Sequence, residues 1–219
     1  MKSYIVKEEI VEYINDLQPF CEGELGELQK YAYEVDLPII DKETASFISF
    51  LVELKKPKNI LEIGCAVGFS AMMMARKLPD NGLLTTIDRY PQMIEKAKEN
   101  FEKFGFSNKI KLIEGDAIDV LETLVKEEKK YDLVFLDAGK GQYINMLPNI
   151  IELLNCGGLL IADDLFQNGN IVKDINTIEK RQRTIHRRMN EFLKSVTECE
   201  ELKSSIVPIA DGVLVAVKS

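Results

Sequence analysis

Three aspartates and a lysine stand where chemistry is possible. Phe135-Leu136-Asp137-Ala138-Gly139-Lys140 and Leu160-Ile161-Ala162-Asp163-Asp164 each end an apolar run in carboxylates. Polar residues just past strand ends of an α/β sheet lie in the crevice where ligands bind. If the sheet is doubly wound, Asp137, Asp163 and Asp164 fall at neighbouring strand ends. Three clustered carboxylates repel one another and raise their pKa values. An oxygen-liganded Mg²⁺ removes that conflict and leaves positions for water or substrate. The competing reading is a loop capped by Asp163 and Asp164 and bonded by Asp137. Lys140 is three residues beyond Asp137, and a lysine beside a bound dication can act as a base.

A second constellation begins earlier. Asn59-Ile60-Leu61-Glu62-Ile63-Gly64-Cys65-Ala66-Val67-Gly68-Phe69-Ser70 reads as a buried strand, a tight turn and a helix start. Gly64 and Gly68 let the backbone approach a ligand closely. Their spacing is Gly-x-x-x-Gly, not the Gly-x-Gly-x-x-Gly of dinucleotide binders, which disfavours a nicotinamide oxidoreductase. Glu62 would repel a pyrophosphate but suits a ligand with a positive amino-acid head. Asp88 ends the next strand, placed to accept both ribose hydroxyls or to cap the helix near Pro91. Asp116 follows the third strand, where it either meets an exocyclic adenine amine or caps a helix.

Periodicity outlines the helices and strands that carry these residues. Ile5, Ile10, Val11 and Ile14 recur at roughly helical spacing, and Leu25, Leu28 and Tyr31 or Ala32 suggest a second helix. Asp41 is a plausible N-cap for a third helix, with Pro57 as its stop. Beyond Lys58, strand-like runs at 59–63, 83–87, 110–113, 133–136 and 159–162 alternate with helical patterns at 70–78, 92–104, 117–126 and 142–154. Repeated βα units imply a parallel sheet covered on both faces. A long amphipathic helix, about 172–196, precedes two final strands around the hairpin signal Asp211-Gly212. Cys156-Gly157-Gly158 reads as a turn. The expected fold is α/β and Rossmann-like, a doubly wound, mostly parallel sheet ending in an antiparallel hairpin. It forms one domain over 1–219, with an N-terminal helical extension (1–57) and a core (58–219).

Composition narrows the chemistry. One histidine makes His-rich zinc sites and a Ser-His-Asp hydrolase improbable. The cysteines Cys21, Cys65, Cys156 and Cys199 form no Cys-x-x-Cys pair, so neither structural zinc nor a disulfide framework is indicated. The N-terminus carries acids where a signal peptide needs an apolar stretch, and no run is long enough to span a bilayer. A cytoplasmic protein without a membrane partner is expected. The net charge of −8 argues against nonspecific nucleic-acid binding. One late segment runs the other way: Lys180, Arg181, Arg183, Arg187, Arg188 and Lys194 cluster with Glu179 and Glu191 as the acids among them. That face could follow an RNA backbone or simply be solvated. Tyr143 and Phe166 could stack on a base or belong to the core.

These segments together resemble the class I, S-adenosylmethionine-dependent O-methyltransferases of the catechol and caffeoyl-CoA type. Leu61–Ser70, Ile87-Asp88, Gly115-Asp116-Ala117, Leu136–Lys140, Ala162-Asp163-Asp164 and Pro208–Gly212 carry the resemblance. It implies that Glu62, Gly64, Gly68 and Ser70 contact the methionine part of the cofactor. It places Asp88 on the ribose, Asp116 and Ala117 beside the adenine, and Ile40, Arg89 and Asp137 in the same cofactor set. Asp137, Asp163 and Asp164 would ligate Mg²⁺ or a similar ion, with Lys140 as the base. Asp164 stands where many relatives have Asn, an extra negative charge that bears on ion preference. Within the family the chain looks most like the bacterial tRNA 5-hydroxyuridine methyltransferases, through Leu37-Pro38-Ile39-Ile40, Gly139–Tyr143 and the late basic helix. The implied partner is the tRNA anticodon loop, contacted by Arg181, Arg183, Arg187 and Arg188, or alternatively a small catechol-like substrate. A homodimer built on the N-terminal helices is the expected assembly.

Overall fold

The computed structural model describes residues 6–35 and 37–219, so Ile5 of the first predicted helix lies outside the described residues. Strands β1 (Asn59–Ile63), β2 (Leu83–Asp88), β3 (Ile110–Glu114), β4 (Tyr131–Leu136), β5 (Leu154–Ala162), β6 (Leu202–Val207) and β7 (Val213–Lys218) form one sheet in the order β3-β2-β1-β4-β5-β7-β6. β1 to β5 pair in parallel, and β7 pairs antiparallel with both β5 and β6. The strand order reverses between β1 and β4. That switch opens a crevice at their C-terminal ends, which is where Gly64 and Asp137 begin.

Alternation along each strand decides what covers it. Ile60 of β1 and Phe135 of β4 join a core with Ile48 of α3 (Lys42–Lys55) and Met72 of α4 (Phe69–Ala75). Leu61, Ile63, Val134 and Leu136 face a second core with Ile150 of α7 (Tyr143–Leu153) and Phe192 of α8 (Arg183–Glu198). Each such fully buried side chain contributes roughly 1.5–3 kcal/mol. Glu62 shares the parity of Ile60, so the pleat aims a carboxylate into the first core toward α4. Helices α1 (Glu8–Leu17) and α2 (Glu24–Glu34) lie with α3 before the sheet begins, while α5 (Pro91–Lys103) and α6 (Ala117–Lys126) complete the crossovers.

Two expectations need correction. The helix expected over about 172–196 begins only at Arg183, after short 3₁₀ turns at Asn170–Val172 and Ile175–Thr177. Local side-chain bonds compete with the helix there: the Asp174 carboxylate accepts from Asn176 N at 2.7 Å, and Thr177 Oγ1 donates to Asp174 O at 2.7 Å. The Cys156-Gly157-Gly158 turn lies inside β5, where the β4–β5 register jumps from Tyr131↔Leu154 to Leu133↔Leu159. Gly157, at φ +72°, absorbs the extra residues.

Candidate active site

The glycine turn is shaped by what crosses it. Gly64 has φ +100°, and a Cβ there would sit 1.9 Å from the carbonyl oxygen of Asp137. The close approach is the ladder itself: Asp137 N donates to Ile63 O at 2.9 Å. Gly68, at φ +84°, precedes α4, and a Cβ there would strike the Phe101 ring at 2.5 Å. Both glycines are therefore demanded by backbone conformation and by contact.

Glu62 is fully buried beneath this turn. Ser70 Oγ donates to its Oε1 at 2.6 Å and Thr86 Oγ1 to its Oε2 at 2.5 Å. Burial pushes the carboxyl up to about 8 against the pull of those two donors, with Asp137 and Asp88 adding repulsion. Ser70 thus orients Glu62 as well as lining the cavity above. Thr86 is a functional residue that motif reading passed over. Its signal was present: it is a hydroxyl in an apolar strand, directly across the β1–β2 register from Glu62.

Asp88 organises the same turn. Its Oδ2 accepts from Cys65 N and Ala66 N at 3.0 and 2.9 Å, and its Oδ1 from Arg89 N and Tyr90 N at 2.7 and 2.9 Å. Both oxygens are already engaged by backbone amides, so ribose hydroxyls would have to share them. Asp116 caps α6 by accepting from Ile118 N at 3.0 Å and pairs with Arg89 at 3.0 Å. A cavity of about 700 Å³ lies over these groups. Ile40, Gly64, Ser70, Asp88, Arg89, Asp116, Ala117 and Asp137 all line it, with Glu62 below the floor and Gly68 behind it.

The carboxylates follow β4 and β5. Asp163 is buried, and its Oδ1 accepts from Asp164 N at 2.8 Å. Burial, then the charges of Asp137 and Asp164, raise its carboxyl well above the ordinary range. Asp137 is raised for the same reason, with Asp164 opposing it and Lys140 partly offsetting both. Lys140 Nζ lies 2.5 Å from Asp164 Oδ2. Asp164 itself is held at φ +59°, a strained conformation for a non-glycine residue. The donor set is all oxygen, and a dication would relieve the repulsion that lifts Asp137 and Asp163, so the residues suit one. As the side chains stand, no three His, Cys, Asp or Glu groups among the described residues close on a metal position. The counter-charge in contact is the Lys140 ammonium.

Tyr143 joins the two strand ends. It is fully buried, edge-on to Phe192 at 5.4 Å between centroids, and so is not a stacking platform. Its hydroxyl reaches Leu136 O at 3.3 Å and Asp163 O at 3.2 Å, and accepts from Ala138 N at 3.3 Å. No periodicity announces that role. Phe166 packs over Gly212, where a Cβ would meet its ring at 2.3 Å, so it too is a packing residue.

A second cavity, about 760 Å³, opens on the far side of Lys140 and Asp164. Ile39 lines both cavities, and the 137–140 turn separates them. The second is walled by α1, α2, the start of α3 and the 164–168 and 210–211 loops. Glu43 Oε1 accepts from Ala210 N at 3.0 Å and Asp211 Oδ1 from Asn168 N at 2.8 Å, fastening those loops together.

The basic residues divide by task. Arg183 donates to Ile178 O and Asn176 O at 3.0 and 2.9 Å, and Arg188 to Gly141 O at 2.9 Å, so both brace backbone. Arg181 and Arg187 are exposed and paired with Glu179 and Glu191 at 2.7 and 3.3 Å. His186 is buried on α8.

A seven-stranded, mostly parallel sheet with an antiparallel end, carrying a Gly-x-x-x-Gly turn and acidic strand ends around one cavity, defines a Rossmann-like methyltransferase. The chain belongs to the O-methyltransferase family, of the caffeoyl-CoA and catechol type: the family model matches residues 17–219. It is 30% identical over 215 residues to a catechol O-methyltransferase of Niastella koreensis, covering 96% of each chain. It is similar in structure to a Staphylococcus aureus protein, with TM-score 0.87, 29% identity and coverage of 97% of this chain and 100% of the other. An SAH-bound methyltransferase of Podospora anserina matches with TM-score 0.84 and 25% identity, over 98% and 97% of the two chains.

Proposed function

We propose that this enzyme, as one domain, transfers the methyl group of S-adenosylmethionine to the hydroxyl of 5-hydroxyuridine at the tRNA wobble position. The carrying observation is the Arg188–Gly141 bond, 2.9 Å long. It fastens α8 to the turn that bears Lys140, which ties the basic segment 180–194 to the catalytic edge. The SAH-bound relative and the 700 Å³ cavity support the donor. Glu62, oriented by Ser70 and Thr86, would pair with the ammonium of the methionine head, whose charge favours the carboxylate over the neutral acid, and Asp88, Arg89, Asp116 and Ala117 surround the nucleoside. Asp137, Asp163 and Asp164 would hold Mg²⁺ or a similar ion, which when bound acidifies a hydroxyl that has an oxygen neighbour. The O4 carbonyl beside the hydroxyl of 5-hydroxyuracil supplies that neighbour. Lys140, once its ammonium has left Asp164 and given a proton to solvent, takes the hydroxyl proton as the neutral amine while the oxygen attacks the methyl in line and S-adenosylhomocysteine leaves. Opposite charges vanish as the bond forms, so the buried floor and positioned dipoles favour the step.

A small catechol-like acceptor is the second reading, favoured by the Niastella koreensis relative. Labelled S-adenosylmethionine, Mg²⁺ and tRNA from cells lacking this protein decide between them. Label in RNA supports the first reading; turnover of catechol with none in RNA supports the second. Charge reversal of Arg181 and Arg187 should lower RNA methylation several-fold, more so at low salt, and spare catechol. Arg188 is unsuitable for that test because it braces the Lys140 turn.

The same reading includes a cytoplasmic homodimer. Among the described residues, Tyr13 and Leu17 on α1, Tyr31 on α2, and Phe50 and Leu54 on α3 expose large apolar side chains. A second copy of the chain would cover that face. Light scattering at micromolar concentration reads the mass directly. No helix among the described residues is long and apolar enough to cross a membrane.

A further inference from the structure

The second cavity and the α8 surface carry opposite charge. Apart from Lys140 and Asp164, which belong to the transfer site, its charged lining among the described residues is Asp16, Asp41, Glu43 and Asp211 against Lys42. Lys42 is itself occupied: its Nζ donates to Asn15 O at 2.5 Å and lies 4.3 Å over the Phe20 ring. This is independent information about the cavity, because an alkylammonium of the chain already sits on its aromatic wall. Tyr33 extends that wall, its hydroxyl donating to Ile40 O at 3.0 Å. Burial raises the carboxyls of Asp41 and Glu43, and Asp164 and then Glu43 repel Asp41, so a further anion would enter a cavity whose acids already repel one another.

We propose that this cavity sorts acceptors by charge, admitting a neutral or cationic hydroxylated ring and keeping phosphate and carboxylate groups outside. The inference rests on the reading that Lys140 faces the acceptor. For an RNA substrate it means that the 5-hydroxyuracil ring enters alone, while its phosphates stay on the basic face of α8. The acidic lining excludes the wrong group while the basic residues of α8 hold the right one outside it, a division that sharpens selectivity beyond attraction alone. For a small acceptor, an aminoalkyl side chain is favoured and a carboxyl disfavoured.

Three catechols of different charge test it: 3,4-dihydroxybenzylamine, 3,4-dihydroxybenzoate of similar size, and unsubstituted catechol as the neutral reference. Their dissociation constants are measured by calorimetry on the full chain saturated with S-adenosylhomocysteine and Mg²⁺, so turnover is not required. The amine should bind at least about tenfold more tightly than the benzoate, with the gap shrinking as salt rises. The double variant D16N/D41N should reduce that ratio about threefold or more while S-adenosylhomocysteine affinity holds. If the double variant loses that affinity, D16N alone, on the exposed side of α1, should still narrow the gap. Benzoate binding as tightly as the amine, a ratio unmoved in the variants, or no binding by any of the three overturns the proposal. If tRNA takes no label yet the ranking holds, the tRNA reading falls and charge sorting stands for a small acceptor.

Discussion

The two sides of the 137–140 turn are built on opposite principles. On the cofactor side nearly every polar group is matched within the chain. Glu62 has two hydroxyl donors and Asp88 has four amides. On the acceptor side Asp164 leans on a lysine, Asp164, Gln167 and Asn168 all hold positive φ, and behind them Asp163, with Asp137 on the shared wall, is buried and repelled. The first side is complete before anything binds. The second is left with charge and backbone strain that a ligand can relieve. On the proposed reading, preorganisation sits where the donor would be held, and unmet charge where the proton would be removed.

The largest break in that contrast should come from the wall between the two sides. Gly64→Ala drives a methyl into the Asp137 carbonyl, and we expect a loss of at least about 4 kcal/mol of stability, read by denaturant unfolding. A variant of wild-type stability would show that the close approach is not required. Next, Lys140→Ala should lower kcat by about 10²- to 10⁴-fold with S-adenosylmethionine affinity retained. Equal loss of both would place Lys140 in cofactor binding instead.

Tyr143→Phe keeps the ring against Phe192 but orphans Ala138 N and weakens the tie to Asp163. A cost of about 1–3 kcal/mol is expected, and affinity for Mg²⁺, measured by calorimetry, should fall while S-adenosylmethionine affinity does not. Unchanged ion affinity would reduce Tyr143 to packing alone.

The smallest effect concerns pH. Glu62 is raised to about 8 in the folded chain, above its ordinary carboxyl value. A proton bound more tightly in the folded state stabilises it at low pH, and that stability is lost as pH climbs toward the folded value. Between pH 6 and 7 the wild type should therefore lose about 1 kcal/mol more than Glu62→Gln. Parallel stability curves for the two proteins would refute the buried-acid picture.

Much of this contrast could be read in advance, but unevenly. The strands alternate cleanly, so β1 to β5 and the glycine turn followed from period and punctuation. Glu62, Asp88 and Asp116 stood out because acids at successive strand ends are conspicuous among apolar neighbours. The helix over 172–182 did not form because Asp174 and Thr177 bond locally, a competition that the apolar period does not register. Arg183 and Arg188 stand out by charge as candidate RNA contacts, but their bonds to backbone carbonyls come from the tertiary structure and have no signal in the local sequence. Tyr143 stood out as an aromatic, but the bonding of its hydroxyl gave no signal, since its three partners come from segments up to 20 residues away.

Sequence by itself determined the α/β order, the acidic strand ends and the class of reaction, because these depend on residue type and local spacing. Only the tertiary structure decided which oxygen meets which hydrogen. It placed Thr86 beside Glu62, Tyr143 between Leu136 and Asp163, and four acids from three distant segments around one hollow. Such meetings depend on how twisted strands and crossing helices bring remote positions within a few ångströms, and no run of neighbouring residues encodes that distance.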